Sequence, residues 1–200
     1  MSGTVRIGAP DGFGTAFLAP RLVDFAERYP GLVVQLVPMP RNFSLSQREA
    51  DLAVVVGRPD GGRIVRRKLM EYSLSLYACA EYLAHAPPLE SAADLTQHRL
   101  VGYVEDLIYS PELDYAGLFH RGWASRIAVS SALGQQEVVR AGGGIGILHD
   151  YLVRPEMGLV KVLPELSVTR SYWAAMHENQ RDMRRVRAVW AFLAEITAPR

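Results

Sequence analysis

The sequence predicts an α/β chain in two lobes, on three observations. Runs of β-branched and apolar residues alternate with stretches of helical spacing, first from residue 4 to 57 and again from 99 to 148. The run "DLAVVVG" at 51 to 57 is almost wholly apolar, the pattern of a strand covered on both faces. Long extended stretches, 64 to 80 and then 159 to 165 with 170 to 178, follow the two series and would carry the chain from one lobe to the other. For the first series, the order strand, helix, strand, helix, strand makes a parallel, doubly wound sheet the economical solution.

The elements follow in order. "TVRIGA" at 4 to 9 has the β-branched content of a short strand. Leu18, Leu22, Phe25, Ala26 and Tyr29 then recur at helical spacing, with Pro20 near the start and Pro30-Gly31 as the stop. "LVVQLVPM" at 32 to 39 is a second strand, and Ser44 with Gln47 opens a short helix, "LSQREA", that leads into the 51 to 57 strand. The stretch 64 to 80 reads as one long or two consecutive strands; "HAPPLE" is a rigid turn, and Ser91 with Asp94 caps another helix.

"RLVGYV" at 99 to 104 opens the second series, which continues as a strand at 126 to 129, a helix from about 131 to 141 capped by Ser130 or Ser131, a stop at Gly142 and a strand at 145 to 148. In the last helix Met183, Val186, Trp190 and Leu193 form one apolar face that would pack back on the first lobe, while Arg184, Arg185 and Arg187 form a solvated one. Tyr109 and Tyr115, in the segment 105 to 115, either line a cleft or pack beneath their own loop.

Composition excludes several function classes. With 22 Lys and Arg against 21 Asp and Glu the net charge is +1, and no basic stripe interleaves with aromatics, so nucleic-acid binding by this chain alone is not expected. No apolar run reaches the roughly 20 residues of a membrane span, and no basic region with a hydrophobic segment opens the chain; the expectation is a cytoplasmic protein. Cys79 is the only cysteine and sits among apolar neighbours, which fits a buried structural thiol in a reducing compartment.

The five histidines, His85, His98, His120, His149 and His177, are scattered and give neither a zinc site nor any other metal or cofactor site. Neither a nucleophile elbow nor a phosphate-binding P-loop is present. The glycines at 142 to 146 lie between a helix and the next strand, the wrong side for a dinucleotide loop, and are read as a helix stop with close backbone packing.

Two strand-to-helix loops remain as candidate binding elements. At 8 to 15, "GAPDGFGT", glycines would free the backbone and Thr15 would offer a hydroxyl cap; Ser130 and Ser131 would do the same in the second lobe. Two such ends facing one cleft would make a small site for an anion or polar solute, walled by Phe13 and Tyr103.

The segments "GTVRIGAP…FLAPRLVDFAERYPGLVVQLV", "READLAVVVGRP" and "SSALGQQEVVRAGGGIGILHDYL", in this order, resemble the effector-binding domain of a LysR-type transcriptional regulator over essentially the whole chain. The resemblance implies two Rossmann-like lobes similar to type 2 periplasmic binding proteins, crossed twice by the chain. Lobe I would comprise residues 1–80 and 166–200, and lobe II residues 81–165. It implies an effector contacted by Pro10, Asp11, Gly12 and Phe13, by Gly57 and Arg58, and by Ser130 and Ser131. It also implies a homodimer, a tetramer in the full-length protein, and DNA binding only through a winged helix-turn-helix head that does not precede residue 1 here.

Two departures from the family pattern matter. "LHD" at 148 to 150 replaces the usual leucine-proline and puts His149 near the cleft, although a lone histidine also suits a hydrogen-bonded structural role. Asp11 places a carboxylate in the first ligand loop, where it would favour the helix N-terminus and repel a carboxylate ligand. The alternatives are a stand-alone solute-binding protein of transport, with the same architecture, and an enzyme using Asp11, His149 and Ser130, which would need a proximity that sequence does not supply.

Overall fold

The structure, a computed structural model, describes residues 1–39 and 49–198. The short helix expected at 45 to 50 lies outside the described residues except for Glu49 and Ala50, which are not helical. Eight strands are present among the described residues: β1 (Gly3–Ala9), β2 (Leu32–Pro38), β3 (Leu52–Val56), β4 (Ile64–Cys79), β5 (Leu100–Gly102), β6 (Ser125–Ala128), β7 (Ile145–His149) and β8 (Leu159–His177). The α-helices are α1 (Ala19–Arg28), α2 (Ala80–His85), α3 (Ala116–Phe119), α4 (Ala132–Arg140) and α5 (Arg184–Ile196). The chain divides into two compact units, Met1–Glu71 with Ser171–Arg200, and Tyr72–Arg170. Both divisions fall inside the long strands β4 and β8, whereas the sequence reading puts the changeovers near residues 80 and 165.

In the first unit the strands run in the order β2-β1-β3-β8. β1 pairs parallel with β2, Gly3 opposite Leu32, and parallel with β3, Ile7 opposite Leu52. β8 closes the series antiparallel to β3, Ala53 opposite Ala175. The parallel order expected for the first series is therefore present, and the returning strand makes the sheet mixed. α5 packs against β1, and its Phe192 meets Phe25 of α1 with ring centroids 5.2 Å apart. The buried face of α5 is Val186, Val189, Phe192 and Leu193; Trp190 is only half-buried, and Met183, 37% exposed, precedes the helix instead of joining its apolar face. On α1, Leu18 and Phe25 are buried, Leu22 and Tyr29 half-buried, and Ala26 exposed.

α1 differs in its start. Residues 12 to 18 are already helical but in the wider π form, with Ala19 donating its N–H to the Gly14 carbonyl. Pro20 follows. A proline there has no N–H to give the Ala16 carbonyl of a regular α-helix and crowds it, and the widened turn relieves that conflict.

In the second unit the order is β4-β7-β5-β6, with β4 antiparallel to β7 (Leu74 opposite His149) and β5 parallel to both β7 and β6. β4 is one strand of 16 residues, and β8 is one of 19, not two. Within β8, Leu163 takes a positive φ of 45° just before Pro164, so the strand continues through a local bend instead of ending there. Tyr77, Val101, Val139 and Leu148 form a buried cluster over which Val138, Val153 and Leu159 close. Cys79 is buried, and its Sγ accepts the Tyr82 N–H at 3.4 Å.

Candidate functional site

The first unit carries Pro10 to Phe13, Gly57 and Arg58. The expected loop with free glycines and a Thr15 cap is absent: Pro10 ends β1, its carbonyl accepts the Gly14 N–H at 2.7 Å, Asp11 is itself in helical geometry, and Thr15 lies exposed inside the helical run. Neither Gly12 nor Gly14 has a positive φ. Gly14 is needed for space, because a Cβ there would stand 2.9 Å from Pro38 Cβ. The glycines after β1 thus let the helix begin directly against the end of β2.

Phe13 is 0% exposed, its ring 5.0 Å from that of Phe17 and 4.8 Å from that of Tyr172. Gly57, at the end of β3 with φ of 75°, donates its N–H to the Ser171 carbonyl at 2.9 Å. Arg58 is exposed, its guanidinium carbon 5.9 Å from the centre of the Trp173 ring, and the Trp173 indole N–H donates to Ser171 Oγ at 2.9 Å. Ser171, Tyr172 and Trp173 of β8 therefore gather the two predicted groups of this unit. Sequence reading found the strand but not its neighbours, because pairing partners distant along the chain leave no local signal.

The second unit carries Tyr103, Ser130, Ser131 and His149. Of the two candidate serines, Ser131 caps α4: its Oγ accepts the Gly134 N–H at 3.0 Å. The helix ends as expected at Gly142, with φ of 79°, where the Gly142 and Gly143 amides close on the Val139 and Val138 carbonyls. A Cβ on Gly144 would run into the Arg99 carbonyl, so this glycine run is close backbone packing. Ser130 is half-buried beside the cap.

His149 is 5% exposed and stacked on Tyr72, with Tyr151 edge-on at 5.6 Å. Next to it, Asp150 accepts hydrogen bonds from the hydroxyls of Ser75 (3.2 Å) and Tyr77 (3.0 Å) and pairs with Lys161 at 3.2 Å. Burial first, then the neighbouring Asp150 charge, pushes the Tyr77 phenol up from 10.0 to about 12.

Tyr103 meets the buried Tyr115 edge-on at 6.1 Å, and both line a cavity of about 410 Å³ within this unit. Of the alternatives for the 105 to 115 segment, Tyr115 both packs beneath its loop and faces that cavity. Among the described residues no group of three His, Cys, Asp or Glu side chains is placed to hold a metal ion, and no helix is long and apolar enough to cross a membrane.

Comparison with known proteins supports a regulatory role. Residues 1–198 match the family described as the LysR substrate binding domain. The chain is 27% identical over 202 residues to the HTH-type transcriptional regulator CrgA of Neisseria meningitidis serogroup C (strain 8013), covering 96% of this chain and 67% of that protein. It is 28% identical over 205 residues to the HTH-type transcriptional activator TtdR of Escherichia coli (strain K12), covering 96% and 64%. The solved regulatory domain of CrgA shares the fold, with a TM-score of 0.88 at 24% identity over 99% of this chain and 100% of that one. The chain thus spans about two thirds of the curated relatives it matches. With the family's domain matched from residue 1 to residue 198, this chain belongs to the LysR-type transcriptional regulators, which are not enzymes, and corresponds to their substrate-binding, regulatory domain.

Proposed function

We propose that the chain senses a small metabolite and relays its presence, by a change in the arrangement of subunits, to a DNA-binding head in the full-length regulator. The observation that carries this reading is the location of the expected effector contacts. Pro10 to Phe13 and Gly57–Arg58 lie at the ends of β1 and β3, and Ser130–Ser131 lie at the start of α4 after β6. Ligands of open α/β sheets are held at such strand ends and helix starts. A metabolite would act only through different affinities for two arrangements of the protein.

A homodimer is part of the proposal. Val23 on α1 is 60% exposed and Val33 on the edge strand β2 is 57% exposed, apolar surface that a second copy would cover. The protein is proposed to act in the cytoplasm.

The test is thermal unfolding against a panel of aliphatic and aromatic acids, amino acids and neutral analogues, with Ser130→Ala as the contact variant. A ligand at roughly 100 times its dissociation constant should stabilise the protein by about 2.7 kcal/mol. A shift that Ser130→Ala weakens supports sensing at these contacts. A broad panel without any shift overturns it in favour of a purely dimerising or partner-binding domain.

A further inference from the structure

The cavity behind Tyr103 is the feature that the sensing reading does not use. Its walls come from β5, from the segment following it and from residues 122 to 125, with Ile147 of β7 at its base; every lining residue belongs to the second unit. A volume of about 410 Å³ is enough for a single- or double-ring molecule.

The lining is chemically one-sided. Three aromatic side chains, Tyr103, Tyr115 and Trp123, stand among aliphatic neighbours such as Leu113. The Trp123 indole N–H is taken up by the His98 carbonyl at 3.1 Å, so this side chain offers the cavity its ring and not a donor. Burial, with Tyr72 next in weight, holds the Tyr115 phenol far above its ordinary value, so it remains a neutral hydroxyl. The charged side chains of the lining are both carboxylates: Glu105 and Asp114, each exposed, stand in it, and it contains no Lys, Arg or His.

A carboxylate ligand entering this space would stand near two carboxylates with no cation in the lining, and the guanidinium of Arg170, whose charge reaches Tyr115, is already engaged by the Glu112 carbonyl at 2.8 Å and the Thr169 carbonyl at 3.0 Å. An aromatic ammonium ion would instead place its ring among apolar and aromatic walls and its charge near Asp114 and Glu105, with ring faces adding cation–π attraction. We propose that this cavity is a binding site for aromatic amines, selecting a positively charged, planar ligand over the carboxylate of the same skeleton. Of the residues expected around the effector only Tyr103 lines this cavity; Pro10 to Phe13, Gly57, Arg58, Ser130, Ser131 and His149 are not in the lining, so the amine site shares one wall residue with the expected effector site and is otherwise built from different side chains.

The experiment uses three probes that share one ring system: tryptamine, tryptophol and indole-3-acetate. Each is titrated calorimetrically into the whole chain, and binding is also followed by the indole N–H resonance of Trp123. Tryptamine should bind, tryptophol more weakly, and indole-3-acetate at least about tenfold more weakly than tryptamine, the scale of one lost charge contact. Reversing the rim with Glu105→Lys and Asp114→Lys together, at exposed positions that do not threaten the fold, should remove the preference for tryptamine or invert it. Gly117 lines the cavity, and a Cβ there meets nothing within 4 Å, so Gly117→Trp adds a large ring at the edge of the cavity without a clash at Cβ and should weaken all three titrations.

Should Gly117→Trp fail to fold, the rim reversal decides. The proposal is overturned if none of the probes binds at millimolar concentration, if indole-3-acetate binds as well as tryptamine, or if the rim reversal leaves the ranking intact. Loss of tryptamine binding in Ser130→Ala with full binding in the rim variant would put the amine at the proposed effector contacts. That outcome would sink this inference while leaving the sensing reading in place.

Discussion

The imidazole of His149 lies flat on the ring of Tyr72, with 5.1 Å between centroids and 17° between planes. β4 and β7 bring them together, since Leu74 stands opposite His149 in the antiparallel register and Tyr72 is two residues earlier on the same face. His149→Ala should therefore cost about 2–4 kcal/mol through the cavity left in a buried stack, whereas His149→Phe should cost less than about 1.5 kcal/mol. Urea unfolding midpoints measure both. Equal losses in the two variants would mean that a polar partner of the imidazole, not its ring, is what matters.

Ser131 and Ser130 are separable. Ser131→Ala should lose about 1 kcal/mol with the α4 cap, and Ser131→Asp should retain most of it. Ser130→Ala should change stability by less than about 0.5 kcal/mol. The same unfolding measurement on the three variants checks this, and a larger loss at Ser130 would contradict the assignment of the cap.

Two glycine replacements should go in opposite directions. Gly14→Ala introduces a methyl group 2.9 Å from Pro38 Cβ, against a strand end that has little room to move, and should destabilise by about 1–3 kcal/mol despite alanine's better helix propensity. Gly117→Ala, in open space on α3, should be neutral or stabilise by up to about 1 kcal/mol. A scanning calorimeter would register the two as melting shifts of opposite sign.

Tyr77 sets an alkaline limit. Its folded value, about 12, lies above the ordinary 10.0, so the folded protein holds this proton more tightly than the unfolded chain does. The contribution is fully present below pH 10 and is lost as pH rises towards 12. Urea midpoints taken at about pH 9 and about pH 11 should fall more for the native sequence than for Tyr77→Phe, which has no phenol to titrate. Parallel curves would show that folding does not hold the Tyr77 proton more tightly.

Association gives the remaining prediction. Val23→Glu should raise the dissociation constant of the proposed homodimer by at least about tenfold without altering the circular dichroism spectrum, because the side chain is exposed in the single chain. Sedimentation velocity over a concentration series would check it. An unchanged monomer–dimer equilibrium would place the interface elsewhere.

What the sequence made legible was whatever a local rule decides. Ser91 paired with Asp94 and Gly142 ending α4 each have one economical backbone solution, and each is found as read; the α4 cap was narrowed to Ser130 or Ser131, and the structure assigns it to Ser131. The apolar strands and their parallel order were likewise legible from period and succession. The early start of the first helix was not, because Gly12 and Gly14 resemble loop glycines until Pro38 is seen beside them. Nor was the single length of β8, where Pro164 looks like a break and Leu163 absorbs the bend. Gly57, Arg58 and Phe13, the expected effector contacts of the first unit, were grouped only through family resemblance. Ser171, Tyr172 and Trp173, which join them, come from a strand more than a hundred residues further on.

The division of the chain also has a meaning for its synthesis. The second unit is one uninterrupted stretch, Tyr72–Arg170, while the first is assembled from the two ends of the sequence. A ribosome working from the N-terminus therefore releases every residue of the second unit before the first can be finished. Until α5 emerges, Phe25 lacks Phe192 and β3 lacks the strand that covers its Ala53 edge. Residues 1–71 must wait, incomplete and with apolar surface uncovered, for residues 171–200, which makes the first unit the one that depends on prompt completion or on a chaperone's shelter.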